Sequence, residues 1–370
     1  METNRIKQQD FNIGGKQMTR INDPITINKT VLKNRLTMAP TVKFDYALED
    51  GKVSDKHIEH YKKRAEGGCG RICVEATAVT PGGRFGKNHL GLWEDEQTEG
   101  HKSITAVCHD NGVPVIIQLN HTGITSNPEC GPAIGPSAVP TRDPEILSKE
   151  MSIDEIHKMQ DAFTEAAIRA KKAGYDGVQL HGCHGYLINQ FVAVKTNLRT
   201  DEYGGSVENR ARFAAEIIKK IRSECGDDFM ISVRTTGIEP DVATAIKIAE
   251  EYVKAGCDYL QVSTGIDWED PSVEDTEHYN RFCSLGVKFH EHFKGRIPVS
   301  CVNGINDPAA VRYLIENELA DTVDLARAVL ADPAFCKAVL EEKPFSKCYN
   351  CPRCQYGPFM PHKCPAGGGV

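Results

Sequence analysis

Short apolar runs recur along the whole chain and alternate with longer segments in which apolar residues return every three or four positions. Continuous runs of this kind are typical of parallel strands that are buried on both faces. The longer segments, such as 153–173 and 243–255, have the spacing of amphipathic helices. We predict eight strands, at residues 36–39, 71–76, 114–119, 177–181, 229–234, 259–263, 297–302 and 322–326.

Eight strands that alternate with helices indicate an α/β protein with a single closed (β/α)8 TIM barrel rather than an open sheet. The chain contains no Gly-x-Gly-x-x-Gly motif, so a dinucleotide-binding half is not supported. A minimal barrel needs about 250 residues, which leaves room for additions in a chain of 370. We expect residues 1–335 to form the barrel, with 1–21 as an N-terminal cap over its bottom. Residues 336–370 would form a short cysteine-rich tail.

The net charge and the lack of long apolar runs limit the partners and the location that we expect for this protein. The formal net charge is -7, and no long block of lysine and arginine occurs, so we expect neither nucleic acid nor an anionic membrane surface as a partner. The N-terminus lacks the apolar core of a signal peptide, and no later run reaches the length of a membrane span. We therefore expect a cytoplasmic protein.

Three polar side chains lie within six positions at the end of the fourth predicted strand. His181, His184 and Tyr186 would lie at the rim where the strands of a barrel end, which is the face on which barrel enzymes carry their chemistry. A lone histidine there is usually a satisfied core or loop residue. Two imidazoles and a phenol together favour a site that polarises a substrate and donates a proton.

Four of the fourteen cysteines lie close together near the end of the chain, at Cys348, Cys351, Cys354 and Cys364. The other cysteines are dispersed, as is typical of reduced thiols. Three closely spaced thiolates with a distant fourth favour a [4Fe-4S] cluster, because two separated Cys-x2-Cys pairs would indicate zinc. Zinc, and thiols without any metal, remain alternative interpretations.

Several segments together resemble one family. They are residues 33–40 (KNRLTMAP), 67–78 (GGCGRICVEATA), 118–123 (QLNHTG), 180–213 and 321–333 (DTVDLARAVLADP). In this order they are similar to the old yellow enzyme family of FMN-dependent ene-reductases, in the branch of 2,4-dienoyl-CoA reductase and trimethylamine dehydrogenase. The resemblance implies FMN as cofactor and a small-molecule enone or enoate as substrate.

Some positions suit a flavin on chemical grounds. Gln118 can donate and accept hydrogen bonds at the pyrimidine, and Arg234 can stabilise the negative charge of the reduced ring. The alternative, a polar plug inside the barrel, would leave a buried arginine without an anion. Gly304, Ala326 and Arg327 follow the last two strands, where barrels commonly bind phosphate. With the positions that the resemblance implies, the predicted flavin contacts are Ala39, Pro40, Thr41, Ala76, Gln118, Arg234, Asn303, Gly304, Ala326 and Arg327.

The resemblance also implies roles. Hydride would pass from FMN N5 to the β-carbon of an α,β-unsaturated carbonyl compound, His181 and His184 would stabilise the enolate, and Tyr186 would supply the proton. Two rival functions are an amine dehydrogenase or demethylase and an electron-transfer flavoprotein subunit. In that branch the chain continues into a nicotinamide-binding domain, and here it ends at Val370. We therefore expect electrons from NAD(P)H directly or from an external electron-transfer protein, and we expect a homo-oligomer.

Overall fold

The computed structural model describes residues 19–357, residue 360 and residues 364–367, and the strands in this part of the chain are mostly short. Their bounds are β1 (Ile25–Ile27), β2 (Thr30–Leu32), β3 (Leu36–Met38), β4 (Arg71–Ala78), β5 (Val115–Asn120), β6 (Ile134–Gly135), β7 (Lys149–Glu150), β8 (Gly177–Gly182), β9 (Met230–Thr236), β10 (Tyr259–Ser263), β11 (Val299–Cys301) and β12 (Thr322–Leu325).

Eight of these strands form a closed barrel in the order β10-β11-β12-β3-β4-β5-β8-β9, and every neighbouring pair is parallel. These are the eight strands that the sequence predicts, with bounds that differ by a few residues at each end. The predicted (β/α)8 barrel is therefore confirmed. All residues of these strands are buried, which explains why they read as uninterrupted apolar runs.

Helices surround the barrel, and most of them bury one face against it. Their bounds are α1 (Asp55–Glu66), α2 (Thr98–His109), α3 (Ile153–Lys172), α4 (Leu187–Val192), α5 (Val207–Cys225), α6 (Val242–Lys254), α7 (Arg281–Phe293), α8 (Pro308–Glu316), α9 (Arg327–Ala331) and α10 (Phe335–Glu341). The predicted boundary between barrel and tail falls at the start of α10, whose Cys336 packs against Cys69 of the barrel. No helix in the described part of the chain combines the length and apolar character needed to cross a membrane.

The bottom of the barrel is closed by an antiparallel hairpin of β1 and β2. Ile27 and Leu32 of this hairpin pack against Cys73, Ile116 and other buried side chains of the strands. The predicted cap over residues 1–21 lies outside the described residues except for its last three. The hairpin at residues 25–32 was not predicted, because two three-residue strands are too short to show a period in the sequence.

Above the hairpin of β1 and β2, a buried aspartate links several strands of the barrel. Asp324 accepts hydrogen bonds from Thr37 at 2.6 Å and from Tyr259 at 2.9 Å, and it forms an ion pair with Arg71 at 3.1 Å. Burial favours the neutral form of Asp324, but the Arg71 charge and the hydrogen bonds from Ser300 and Thr37 outweigh it and keep the pKa of Asp324 below its usual value. A charge this deep is tolerated only because it is paired and hydrogen-bonded.

Strand β4 carries a bulge that separates its two halves. Val74 pairs with Ile117 and Ala76 pairs with Gln118, so Glu75 has no partner on β5. A bulge of this kind redirects the side chains that follow it. The Glu75 carboxylate accepts hydrogen bonds from the backbone of Lys43 at 2.7 Å and from the Tyr61 hydroxyl on α1. Ala76 therefore lies beside Gln118 at the upper end of the barrel.

Candidate active site

His181, His184 and Tyr186 meet at the carboxyl end of β8, as the sequence predicts. His181 Nε2 lies 3.0 Å from His184 Nδ1, and the ring centroids of His181 and Tyr186 are 4.8 Å apart. The other side of Tyr186 contacts the ring of Phe85, at 5.0 Å between centroids. The roles of the three side chains in catalysis stay predictions, but the structure does bring them together.

The backbone turns sharply at His184 and Gly185, directly before Tyr186. His184 has a φ of 62° and Gly185 has a φ of 75°, so two consecutive residues are left-handed. This conformation is unfavourable for a residue with a β-carbon and clusters at functional sites. The turn is supported by Asn189 of α4, whose Oδ1 accepts a hydrogen bond from the Gly185 amide at 2.8 Å.

A chain of hydrogen bonds continues from the histidines across the barrel mouth. His184 Nε2 lies 2.7 Å from Ser263 Oγ at the end of β10, and Ser263 Oγ donates to Asn303 Oδ1 after β11 at 3.4 Å. We call these four residues, His181, His184, Ser263 and Asn303, the mouth relay. Both ring nitrogens of His184 are engaged in it, whereas His181 Nδ1 is buried without a hydrogen-bond partner in the described structure.

The surroundings keep the acid–base groups uncharged. Burial lowers the pKa of His181 well below its usual value, and the charges of His184 and Arg234 add to that effect. Burial in the barrel mouth also lowers the pKa of His184 well below its usual value, and the positive charge of Arg234 adds to that effect. Burial raises the pKa of Tyr186 above 10, although the Arg142 charge opposes the shift. Neutral imidazoles and a protonated phenol are therefore the forms present near pH 7.

Further polar atoms at the mouth are buried but have no hydrogen-bond partner in the described structure. They include Thr41 Oγ1, both amide atoms of Asn120, Arg234 Nε and Asn303 Nδ2. Buried polar groups are normally satisfied, so such a set indicates a polar ligand. A flavin, with carbonyl oxygens, ring nitrogens and a phosphate, fits this donor set. Arg234 is 8% exposed and lies in register with His181 on β8, so it belongs to the same site.

The remaining predicted flavin contacts lie at the same end of the barrel. Ala39 follows β3, and its amide donates to the Leu325 carbonyl on β12. Gln118 is buried in the barrel, where its amide nitrogen donates to Gln179 Oε1 at 2.9 Å. This bond fixes the amide orientation. Pro40 and Arg327 occupy the segments after β3 and β12, respectively.

The candidate phosphate segment has the backbone that an anion site requires. Asn303 and Gly304 both have positive φ, 84° and 69°. Gly304 suits this positive φ, and a β-carbon there would lie 2.5 Å from Asn280 Nδ2 and would displace that side chain. Ala326 lies between the neighbouring strand β12 and helix α9, at the N-cap position of that helix. Consecutive backbone amides in such a turn are suited to phosphate oxygens.

One group in the mouth could also hold a metal ion. The ligand atoms of His181, Cys183 and His184 lie within 4.8 Å of one another. Burial raises the pKa of the Cys183 thiol to about 12, and the two imidazoles hydrogen-bond to each other. A protonated thiol and an occupied imidazole pair suit hydrogen bonding to a substrate better than metal ligation.

The cysteine tail contacts the same face of the barrel. Asn350 Oδ1 accepts a hydrogen bond from Asn306 Nδ2 at 2.8 Å, and the ring of Tyr356 lies 3.6 Å from Lys43 Nζ. Asn306 lies three residues after Asn303, and Lys43 lies two residues after Thr41. Burial, and then the Arg64 charge, lower the pKa of Lys43 to about 7. The tail is thus anchored next to two segments that are predicted to contact the flavin.

Several residues of the site were missed in the sequence. His89 Nε2 donates to the Ala76 carbonyl at 2.6 Å and accepts at Nδ1 from Phe85, which places the Phe85 ring against Tyr186. Burial lowers the pKa of His89 to about 4, so it is neutral. Asn120 could have been found, because it follows Gln118 by two positions on the same strand. His89 gave no such signal, since it lies in an irregular loop.

The barrel and its mouth define a class of flavin oxidoreductase, and comparison with known proteins gives the family. Residues 20–345 match the NADH:flavin oxidoreductase / NADH oxidase family. The chain belongs to this family, and the predicted membership of the old yellow enzyme group is confirmed. It is therefore a flavoprotein oxidoreductase with FMN as its cofactor.

Solved structures agree with this assignment. A 2-naphthoyl-CoA reductase in complex with 2-naphthoyl-CoA is 28% identical, with a TM-score of 0.81 over 88% of this chain and 52% of that one. Histamine dehydrogenase from Rhizobium sp. 4-9 is 27% identical, with a TM-score of 0.76 over 87% of this chain and 48% of that one. An old yellow enzyme homologue from Zymomonas mobilis is 26% identical, with a TM-score of 0.76 over 89% and 94%. The chain spans about half the length of the first two proteins.

Proposed function

We propose that the protein reduces the C=C bond of an α,β-unsaturated carbonyl compound. The observation that carries this proposal is the meeting of His181, His184 and Tyr186 at one end of β8, all in their neutral, proton-bearing forms near pH 7. Reduction of a conjugated C=C bond needs donors at the carbonyl oxygen and an acid at the α-carbon. An electron relay would need neither.

The chain's own residues account for binding and proton transfer. When bound, FMN supplies the hydride. His181 Nδ1 is the ring nitrogen in the mouth relay without a partner. It would donate to the carbonyl oxygen of the substrate when His184 Nδ1 donates to His181 Nε2 and the Ser263 hydroxyl turns from Asn303 to donate to His184 Nε2. His184 keeps the His181 ring in place through their 3.0 Å contact. The Tyr186 hydroxyl would then give its proton to the α-carbon, and Arg234 would compensate the negative charge of the reduced cofactor.

The long connection after β5 suggests the kind of substrate. A cavity of about 770 Å³ is lined by apolar side chains such as Ile146 and Leu147, by the cations Arg142 and Lys149, and by the acid Asp143. Lys149 is paired with Glu155, so Arg142 is the cation proposed to bind substrate. The Arg142 charge also acts on the pKa of Tyr186, so this part of the cavity lining is within electrostatic reach of the proposed acid. An apolar pocket with a cation suits an unsaturated acid or its coenzyme A thioester. The substrate named for the 2-naphthoyl-CoA reductase belongs to the second class.

We assign an iron–sulfur cluster to Cys348, Cys351, Cys354 and Cys364. When bound, such a cluster would transfer single electrons. The Asn350 amide donates to Cys348 Sγ at 3.5 Å, a contact of the kind that tunes the sulfurs of cluster loops.

Anaerobic reoxidation of the reduced flavin tests the proposal. The reduced protein is mixed with 2-cyclohexenone, with cinnamate and with an aromatic enoyl-CoA thioester, and flavin absorbance is followed in a stopped-flow instrument. We expect rapid reoxidation by at least one of them with formation of the saturated product. Failure of all three, combined with reduction of the oxidised flavin by histamine or trimethylamine, would support the rival amine dehydrogenase. The likeness to histamine dehydrogenase makes that rival worth testing.

Electron supply is tested with the same protein. NADH, NADPH and a reduced ferredoxin are each added to the oxidised flavin. Reduction by a nicotinamide alone would indicate direct hydride transfer. Reduction only by the protein donor would assign the tail as the entry point for electrons.

A further inference from the structure

Buried cations lie beneath the cysteine tail, and the proposed chemistry at His181 and Tyr186 does not use them. Lys43 is 1% exposed, its Nζ has no hydrogen-bond partner in the described structure, and it lies 3.6 Å from the centre of the Tyr356 ring. Arg64 is fully buried, and its Nη2 likewise has no partner there. Its other nitrogens donate to backbone carbonyls, which carry no charge.

The carboxylates of the barrel compensate only one of these two cations. Glu75 is the neighbouring acid, and its side chain accepts hydrogen bonds from the Lys43 backbone amide and the Tyr61 hydroxyl. His60 is neutral, because burial and then the charges of Arg64 and Lys43 hold its pKa well below the usual value. One buried positive charge is therefore left over. Such a charge is unfavourable unless an anion lies beside it.

The anion that the fold offers is on the tail. The Cys354 thiol lies close enough to Lys43 to interact with it electrostatically. Tyr356, which covers the Lys43 ammonium, stands between the third and the fourth tail cysteine in the sequence. Lys43 also follows Thr41 by two residues, so it lies between the predicted flavin segment and the tail.

We infer that Lys43 and Arg64 form a cationic seat for the thiolate-bound cluster and raise its reduction potential. This inference rests on the cluster that the proposed function assigns to the tail. Four thiolates give a cluster negative charge, and reduction adds more. The permanent charge of Arg64, and the Lys43 charge that such an anion would itself stabilise, therefore favour the reduced form. The seat would thus help the cluster accept electrons on the side that faces the flavin.

Redox titration of the anaerobically purified full chain tests the inference. Cluster reduction is followed by electron paramagnetic resonance, flavin reduction by absorbance, and iron and FMN contents are measured for each protein. We expect Lys43→Gln to make the cluster potential more negative, while Lys43→Arg, which keeps the charge, stays close to the parent. Lys56→Gln is the matched control, because it removes an exposed lysine of α1 on the same side. It should change nothing.

A second variant keeps the test decisive if Lys43→Gln does not fold. Tyr356→Leu alters only the tail, and by admitting water to the ammonium it should shift the cluster potential in the same direction by a smaller amount. Full iron content with an unchanged potential in the variant that folds would overturn the inference alone. A shift of the flavin potential without one of the cluster would also overturn it. A parent protein without iron would overturn the cluster assignment and this inference together.

Discussion

Replacing Glu239 by glutamine should remove a pH-dependent loss of stability. Glu239 is fully buried, and its Oε2 accepts hydrogen bonds from Asn189 Nδ2 at 2.8 Å and from the Ile266 amide. Its Oε1 and Asp267 Oδ2 are buried oxygens without a donor in the described structure. Burial, and then the nearby Asp267 carboxylate, raise the pKa of Glu239 from 4.5 to about 7. The two carboxyl groups can therefore share one proton.

The difference between these pKa values sets the size and sign of the effect. It corresponds to about 3 kcal/mol, because one pKa unit is worth about 1.4 kcal/mol. The folded protein holds this proton more tightly than the unfolded chain does. Its contribution to stability is complete below pH 4.5, falls as the pH rises, and is lost above pH 7.

Urea unfolding of the FMN-saturated protein at several pH values provides the assay. Glutamine keeps an acceptor for Asn189 and offers Asp267 a permanent donor, so Glu239→Gln should be more stable than the parent at pH 8, by up to about 3 kcal/mol. At pH 4 the two proteins should be similar. Glu202→Gln, at an exposed position, is the control. A variant whose free energy of unfolding declines between pH 5 and 7 as steeply as that of the parent would refute the reasoning.

Four further outcomes are expected at the site. Tyr186→Phe should leave flavin reduction near normal and slow product formation by about 10²–10⁴-fold, the usual contribution of a general acid; an unchanged rate in single-turnover experiments would remove Tyr186 from that role. His181→Ala should cost about 3 kcal/mol in the barrier, measured as kcat/KM, as for a lost oxyanion donor. Arg142→Gln should raise KM for an anionic enoate and leave a neutral enone unaffected, and equal effects on both would disprove charge recognition. Cys351→Ala should abolish bound iron while FMN stays at one per chain, and retained iron would contradict the ligand assignment.

The barrel could be predicted because its strands are buried on both faces, which leaves an apolar run in the sequence for each of them. The grouping of His181, His184 and Tyr186 was equally accessible, since six residues after one strand cannot lie far apart. The hairpin of β1 and β2 left no such trace. Its placement depends on packing against side chains of the barrel bottom.

Pairs that are distant in sequence could not be predicted. The carboxyl groups of Glu239 and Asp267 follow different strands, and each looks like an ordinary loop acid. The contact of Lys43 with Tyr356 joins the first βα connection to the tail. Nothing in the local pattern distinguishes such residues from solvated charges, because the closure of the barrel is what brings them together.

The mouth relay connects the predicted substrate site with the segment that is predicted to bind the cofactor. It begins at His181, on the side where the substrate would bind, and ends at Asn303, in the segment predicted to hold the phosphate of the cofactor. If these roles hold, substrate recognition and cofactor retention share one scaffold across three strands. We then expect a change at Ser263, in the middle of this scaffold, to alter affinity for the substrate and affinity for the cofactor together.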